Sequence, residues 1–322
     1  MPRKIDISRK TVFFIAGFIF TLWLLFLIRD LLIILFVGLI LMSALAPMVR
    51  FFTNLRLPKA AGIVITYIIM IAVVSGLLAI ILPPLVEESS RLISTLPPLL
   101  DQLFTTAAID KSVFQSQLAA FSSNIFSVTL TIFDNLLTII FLLVLTFYLL
   151  FERENLEERL ATLFPGRQER VKELIVKIED KLGGWFRGQL FLSLIVGVLS
   201  FAGLSILNIP YALPLAVIAG VMEVIPVIGP IISAIPPILI ALTISPILSI
   251  AVVALYFVIQ QLENHLIVPQ VMKRAVGLNP LVVILAIAMG SRLLGFAGAL
   301  LAVPLVVVLQ ILVTEVIEER KV

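Results

Sequence analysis

The chain has 322 residues, of which 61% are hydrophobic and 13% charged, with 23 Lys and Arg against 20 Asp and Glu, one His and no Cys. A soluble domain is about half apolar and about a quarter charged, so a mean hydropathy of +1.19 excludes a soluble fold and leaves no hidden soluble catalytic domain. The net charge of +3 comes from cations lying between apolar runs rather than along one stripe, which excludes a nucleic-acid footprint, and the missing cysteines exclude disulfides and thiolate metal sites.

A crossing of the hydrocarbon core takes about 20 largely apolar residues. Six segments meet that requirement: 11–28, 31–49, 60–82, 129–151, 188–207 and 247–266. The expected fold is therefore an all-α polytopic membrane protein. Arg3, Lys4, Arg9 and Lys10 precede the first segment in the manner of a signal peptide, yet the run is long and lacks a small-x-small cleavage site, so it reads as a retained helix. Only Arg29 and Asp30 separate it from the second, which predicts a tight hairpin. Basic residues at both ends of that hairpin, Arg50, Arg56 and Lys59 closing it, place both ends in the cytoplasm, and the C-terminus is expected on the same side.

Two longer loops carry helical periodicity. In 83–128 the residues Leu85, Leu92, Leu96, Leu99 and Leu103 share a face, and in 152–184 the residues Val171, Leu174, Ile175, Ile178 and Leu182 do the same. The first loop is cation-poor and expected outside; the second is cation-rich and expected inside. Both read as amphipathic helices on the bilayer or on the membrane body. Gly183 and Gly184 are expected to end the inner helix and hinge it to the next span. Three regions result: 1–151 with the outer segment, 152–187 as a cytoplasmic segment, and 188–322 as a transport region.

Between 210 and 244 the apolar run is broken by Pro210, Pro214, Pro226, Gly229, Pro230, Pro236 and Pro237. Such a run does not hold as one helix, because each proline removes a backbone hydrogen bond and clashes with the preceding turn. Two halves of about 15 residues, roughly 22 Å each, predict a hairpin that dips into the membrane and returns, with Pro226–Pro230 as its tip. A second interrupted stretch, 280–313, carries Pro280, Gly290, Gly295, Gly298 and Pro304. Each follows one full crossing, so a unit of one span and one re-entrant hairpin occurs twice as an inverted repeat, the arrangement of secondary transporters. Two short kinked spans per stretch remain the alternative.

Ionisable groups inside such segments are costly and face a cavity or one another. Glu223 precedes the first tip and Arg292 lies in the second break; the expectation is that the two tips, Pro226–Pro230 and Ser291–Gly295, meet near the midplane with this pair on the protein side. The alternatives are a substrate or proton site and a structural ion pair. Gln260, Gln261, Glu263, Asn264 and His265 form a polar cluster in which residues four apart share a helix face and can line a hydrophilic path. A single histidine rules out a multi-histidine metal site. Asn279 before Pro280 reads as a helix-start residue. No phosphate-binding loop, His-Glu-x-x-His pair or Gly-x-Ser-x-Gly elbow occurs, so no ATPase or enzyme, and no cofactor, is expected.

Gly188-Gln189, Ile209-Pro210-Tyr211-Ala212, Glu223-Val-Ile-Pro226-Val-Ile-Gly229-Pro230, Gln261-Leu-Glu263-Asn264, Gly277-Leu-Asn279-Pro280, Gly295-Phe-Ala-Gly298 and Ala302-Val-Pro304 closely resemble the AI-2E family of transporters. The resemblance implies a plasma-membrane transporter. Some family members export the small polar signal autoinducer-2, and others are assigned to sodium or lithium/proton antiport. It further implies a homo-oligomer, pentameric in form, with an elevator-like motion. The position before Pro280, often histidine in the family, is Asn279 here, and Leu213-Pro214 replaces a leucine-glycine pair. A structural or scaffolding membrane protein is the reading from another class.

Overall fold

The computed structural model describes residues 9–107, 136–226, 228–271 and 279–319. Every regular element among them is helical, as lipid demands of a chain whose backbone groups must bond internally. In order these are α1 (Arg9–Leu27), α2 (Arg29–Asn54), α3 (Lys59–Ala107), α4 (Leu136–Thr162), α5 (Gln168–Ile206), α6 (Ala212–Met222), α7 (Ile228–Ile244), α8 (Pro246–Leu262), a π-turn (Glu263–Ile267), α9 (Val268–Val271) and α10 (Pro280–Glu319). Six stretches are long and apolar enough to cross a membrane: Arg29–Asn54, Lys59–Glu88, Leu136–Thr162, Gln168–Ile206, Pro246–Val271 and Leu281–Ile317. Five coincide with expected crossings, although residues 129–135 of the fourth lie outside the described residues.

The expected first hairpin does not form. The Ile28 N–H donates to the Leu24 carbonyl and the Leu32 N–H to the Ile28 carbonyl, each at 3.0 Å, so helical bonding runs through the junction with only a kink at Ile28 (φ −94°, ψ 10°). Arg and Asp are tolerated in a helix and nothing here supplies the φ/ψ change a reversal needs. Almost every described side chain of α1 is exposed, with Phe13 at 78%.

Two other boundaries move. The α3 helix continues past Pro83 and Pro84 to Ala107, so the described part of the outer segment extends the third span rather than forming a separate helix; residues 108–128 lie outside the described residues. The α5 helix runs unbroken through Gly183 and Gly184. Gly183 is a contact residue rather than a hinge: a Cβ there would collide with the Ser43 carbonyl of α2.

The inner segment keeps its predicted amphipathic face. Val171, Leu174, Ile175 and Ile178 are half-buried and Leu182 is buried. Arg153 of α4 donates from Nε to a Glu179 carboxylate oxygen of α5 at 2.7 Å, with side-chain exposures of 11% and 12%, and Arg170 pairs with Glu315 of α10. Removing one partner of a sheltered ion pair strands the other charge, whereas an exposed pair is worth about 0–1 kcal/mol. Arg153→Leu is therefore expected to lower the melting temperature in detergent clearly more than Arg91→Leu, whose partner Glu87 is as exposed as Arg91 itself (66% and 69%); equal shifts would contradict the assignment.

Prolines sit where helices start. Pro214, Pro230, Pro246 and Pro280 occupy first turns, where an N–H has no intrahelical acceptor to lose. The α6–α7 arms have 11 and 17 residues, about 17 and 26 Å, against a hydrocarbon core of roughly 30 Å. In α10 the break falls at Leu294 and Gly295, where Gly295 takes φ 61° and ψ −140°, a conformation open only to glycine. Gly290 and Gly298 then lie backbone to backbone, each carbonyl occupying the space a Cβ on the other would need. The arms 280–293 and 296–319 thus fold on one another as a hairpin. Ile225 from the first hairpin's turn shares one buried cluster with Ile40 of α2, Leu182 and Trp185 of α5, and Ile287, Ala299, Ala302 and Val303 of α10.

Candidate functional site

The site begins at the turn between α6 and α7. Helix α6 closes with the Glu223 N–H on the Ala219 carbonyl (3.0 Å) and the Ile225 N–H on the Met222 carbonyl (3.0 Å), and Gly229 enters α7 with its N–H on the Ile225 carbonyl (2.9 Å). No side chain fits at residue 229, because a Cβ would fall on the Met222 carbonyl. This tight crossing turns Glu223 inward, where it is 1% exposed. Its backbone carbonyl accepts a 2.6 Å bond from the buried Gln189 amide of α5.

Glu263 arrives from the opposite direction. The π-turn Glu263–Ile267 accommodates one extra residue per turn. It buries Glu263 at 6% exposure and leaves Asn264 and His265 outside. The Gln260 amide donates to a Glu263 carboxylate oxygen at 3.1 Å, and the carboxyl groups of Glu263 and Glu223 lie in hydrogen-bonding contact. Beside them a cavity of about 210 Å³ opens between α5, α7 and α8, lined by Val196, Pro230, Ser233, Tyr256, Gln260 and Glu263. Proline removes the donor that would serve the carbonyl four residues earlier, so Pro236 and Pro237 free the carbonyls of Ile232 and Ser233 on this arm.

The predicted residues divide between this site and the surface. Glu223, Gly229, Pro230 and Glu263 are buried together, with Pro226 and Gln260 half-buried beside them. Gln261 is exposed, and its carbonyl lies 3.1 Å from His265 Nδ1. Asn279 is exposed and starts α10 by accepting the Leu281 N–H at 2.9 Å. Arg292 and Gly295 are exposed. The expected Glu223–Arg292 pair is thus replaced by a pair of acids, and the tips do not meet. The first tip reaches the second hairpin through Ile225 at Ile287 and Ala299, on either side of the break rather than in it.

Sequence reasoning gave Gln189 no role beyond the Gly188-Gln189 motif, although an amide within an apolar span is itself the signal. Arg187, which donates to the Ser43 and Ala44 carbonyls at 3.1 and 3.0 Å, was also missed; its cause is Pro47, which leaves the Ser43 carbonyl without an intrahelical donor.

The family of AI-2E family transporters matches residues 11–318. YrrI of Bacillus subtilis is 34% identical over 177 residues, covering 55% of this chain and 50% of YrrI. YueF of the same organism is 25% identical over 82% of this chain and 78% of its own length. The AI-2 transport protein TqsA of Escherichia coli is 30% identical over 83% of this chain and 80% of TqsA. The chain thus spans half the length of YrrI and about four fifths of the other two.

Proposed function

Because the chain belongs to the AI-2E family of transporters, we propose that it is a secondary transporter that exports a small polar solute of the autoinducer-2 type across the plasma membrane. One observation carries this reading: beside the turn of an interrupted hairpin, an open and mostly apolar cavity between apolar helices takes the Glu263 carboxyl and the Gln260 amide into its lining. Polar groups at membrane depth are costly, and a transport path is what employs them. The name of TqsA supports the solute class. Sodium or lithium/proton antiport is the second reading, favoured by the contact between two carboxyl groups, which is cation chemistry.

In this reading α5 with the α6–α7 hairpin, and α8 with the α10 hairpin, form the inverted repeat, and both hairpins are re-entrant. The path is drawn from Glu223, Pro226, Gly229, Pro230, Gln260 and Glu263, while Gln261, Asn264, Asn279, Arg292 and Gly295 line its approaches. In the same reading the cation-rich segment 152–187 faces the cytoplasm, and the Arg170–Glu315 pair supports the end of α10 on that side. The partners are the solute or a monovalent cation, lipid and further copies of the chain.

Purified protein in liposomes is expected to move the solute without ATP. Solute flux with no change of lumenal pH on adding sodium or lithium supports the exporter; lumenal pH change driven by those ions supports the antiporter. ATP-dependent uptake by the chain alone would overturn both. A scaffold, by contrast, would show neither flux, and Glu223→Gln would alter only stability.

A further inference from the structure

Two acidic side chains, each more than nine-tenths buried, touch at the junction of α6, α7 and the π-turn. The Glu223 Oε2 atom is buried and meets no donor. Its neighbour Glu263 already accepts from Gln260 and offers only another carboxyl oxygen. Two carboxylates in contact repel, and the arrangement closes electrostatically when a single proton lies between them.

Among the described residues no counter-charge takes that place. Of the titratable groups on the elements packed around the pair, Arg187 of α5 is committed to two carbonyls of α2, and α7 carries none. Tyr256 of α8 lines the cavity, Tyr67 of α3 donates to the Leu143 carbonyl at 2.9 Å, and Lys59 of α3 pairs with Glu154. Glu87 and Arg91 of α3 pair with each other, Glu88 of the same helix has a buried carboxyl oxygen without a partner, Tyr211 stands at the start of α6, and His265 and Arg292 are exposed. Among the described residues no three His, Cys, Asp or Glu side chains converge to hold a metal ion. The open cavity on the Glu263 side is also lined by Ser233 and Tyr256.

We infer that Glu223 and Glu263 form a proton-exchanging dyad: the pair holds one shared proton, takes it from water at the cavity and returns it there, and this exchange couples the transport cycle to protons. The coupling role rests on the transporter reading above, whereas the shared proton does not. The step moves a proton between a carboxyl oxygen and water, with no other bond made or broken.

The test is infrared difference spectroscopy of the full chain in lipid nanodiscs across a pH series, on the native protein, Glu223→Gln, Glu263→Gln and the exposed control Glu158→Gln, joined to solute flux in liposomes. A protonated-carboxyl band sheltered from water is expected at neutral pH in the native protein and in Glu158→Gln. It is lost in Glu223→Gln and shifted in Glu263→Gln, and the pH dependence of flux disappears in both. If Glu223→Gln does not elute as folded protein, Glu263→Gln decides alone. A native protein without the band, or a band unchanged in both variants, overturns the dyad. So does a band that sodium removes at fixed pH, which would make the occupant a cation. Flux whose pH dependence survives both substitutions overturns the coupling while leaving the transporter intact. A band without solute flux leaves the dyad standing and defeats the transporter reading instead.

Discussion

Gly229→Ala is expected to abolish folded protein, with the chain lost to aggregation on detergent extraction, while Gly17→Ala is recovered at the native level. The added methyl is identical in the two cases. At residue 17 nothing lies within 4 Å of the new Cβ. At residue 229 the Cβ falls on the backbone carbonyl of Met222, the last residue of α6, and neither atom is at the end of a flexible side chain. Overpacking that side chains can relieve costs about 1–3 kcal/mol, and this collision requires α6 and α7 to part. Their separation would carry Glu223 away from Gln189 and Glu263 and pull Ile225 from the cluster joining the first hairpin to α2, α5 and α10. Size-exclusion profiles of the two variants decide the matter; a monodisperse Gly229→Ala protein would contradict the geometry of the tip.

The hairpin itself was legible in the prolines. A first-turn proline costs little and an interior proline costs about 3 kcal/mol, so Pro214, Pro230 and Pro280 mark helix starts in the sequence as they do in the structure. Apolar runs of spanning length gave five of the six long helices for the same elementary reason. Failure came where local signals were silent. Arg29 and Asp30 looked like a turn because they are charged, yet charge does not bend a backbone, and the bonds through Ile28 run on. Gly183 and Gly184 looked like a stop because glycine is a poor helix former, whereas at residue 183 its value is tertiary, a close approach to α2.

The pairing of Glu223 shows a deeper limit. Opposite charge made Arg292 the natural partner from sequence, but partnership depends on which surfaces face inward. Gly295 directs the α10 break outward with Arg292, while the π-turn directs Glu263 inward. A π-turn is a one-residue change of register with no fixed residue signature. Across it Glu263 is buried while Asn264 and His265 face outward.

Arg187→Met is expected to destabilise the protein by about 1–3 kcal/mol, and by distinctly less when Pro47→Ala is present. Pro47 has no N–H, so the buried Ser43 has a carbonyl with no donor from its own helix. Arg187 Nη1 supplies one at 3.1 Å and bonds the next carbonyl, Ala44, at 3.0 Å. Gly183, one turn earlier on α5, gives the room for that approach. Methionine keeps most of the apolar stem and removes the donor, which leaves the Ser43 carbonyl orphaned between α2 and α5. Alanine at residue 47 restores an N–H to the helix and satisfies Ser43 internally, so the donor from Arg187 becomes partly redundant. Thermal melting of the native protein, both single variants and the double variant gives the interaction energy directly. Additive effects would show that Arg187 acts through packing alone. A positive coupling would establish that a proline in one span is complemented by an arginine in another, which fixes the rotation of α5 and with it the face from which Gln189 reaches Glu223.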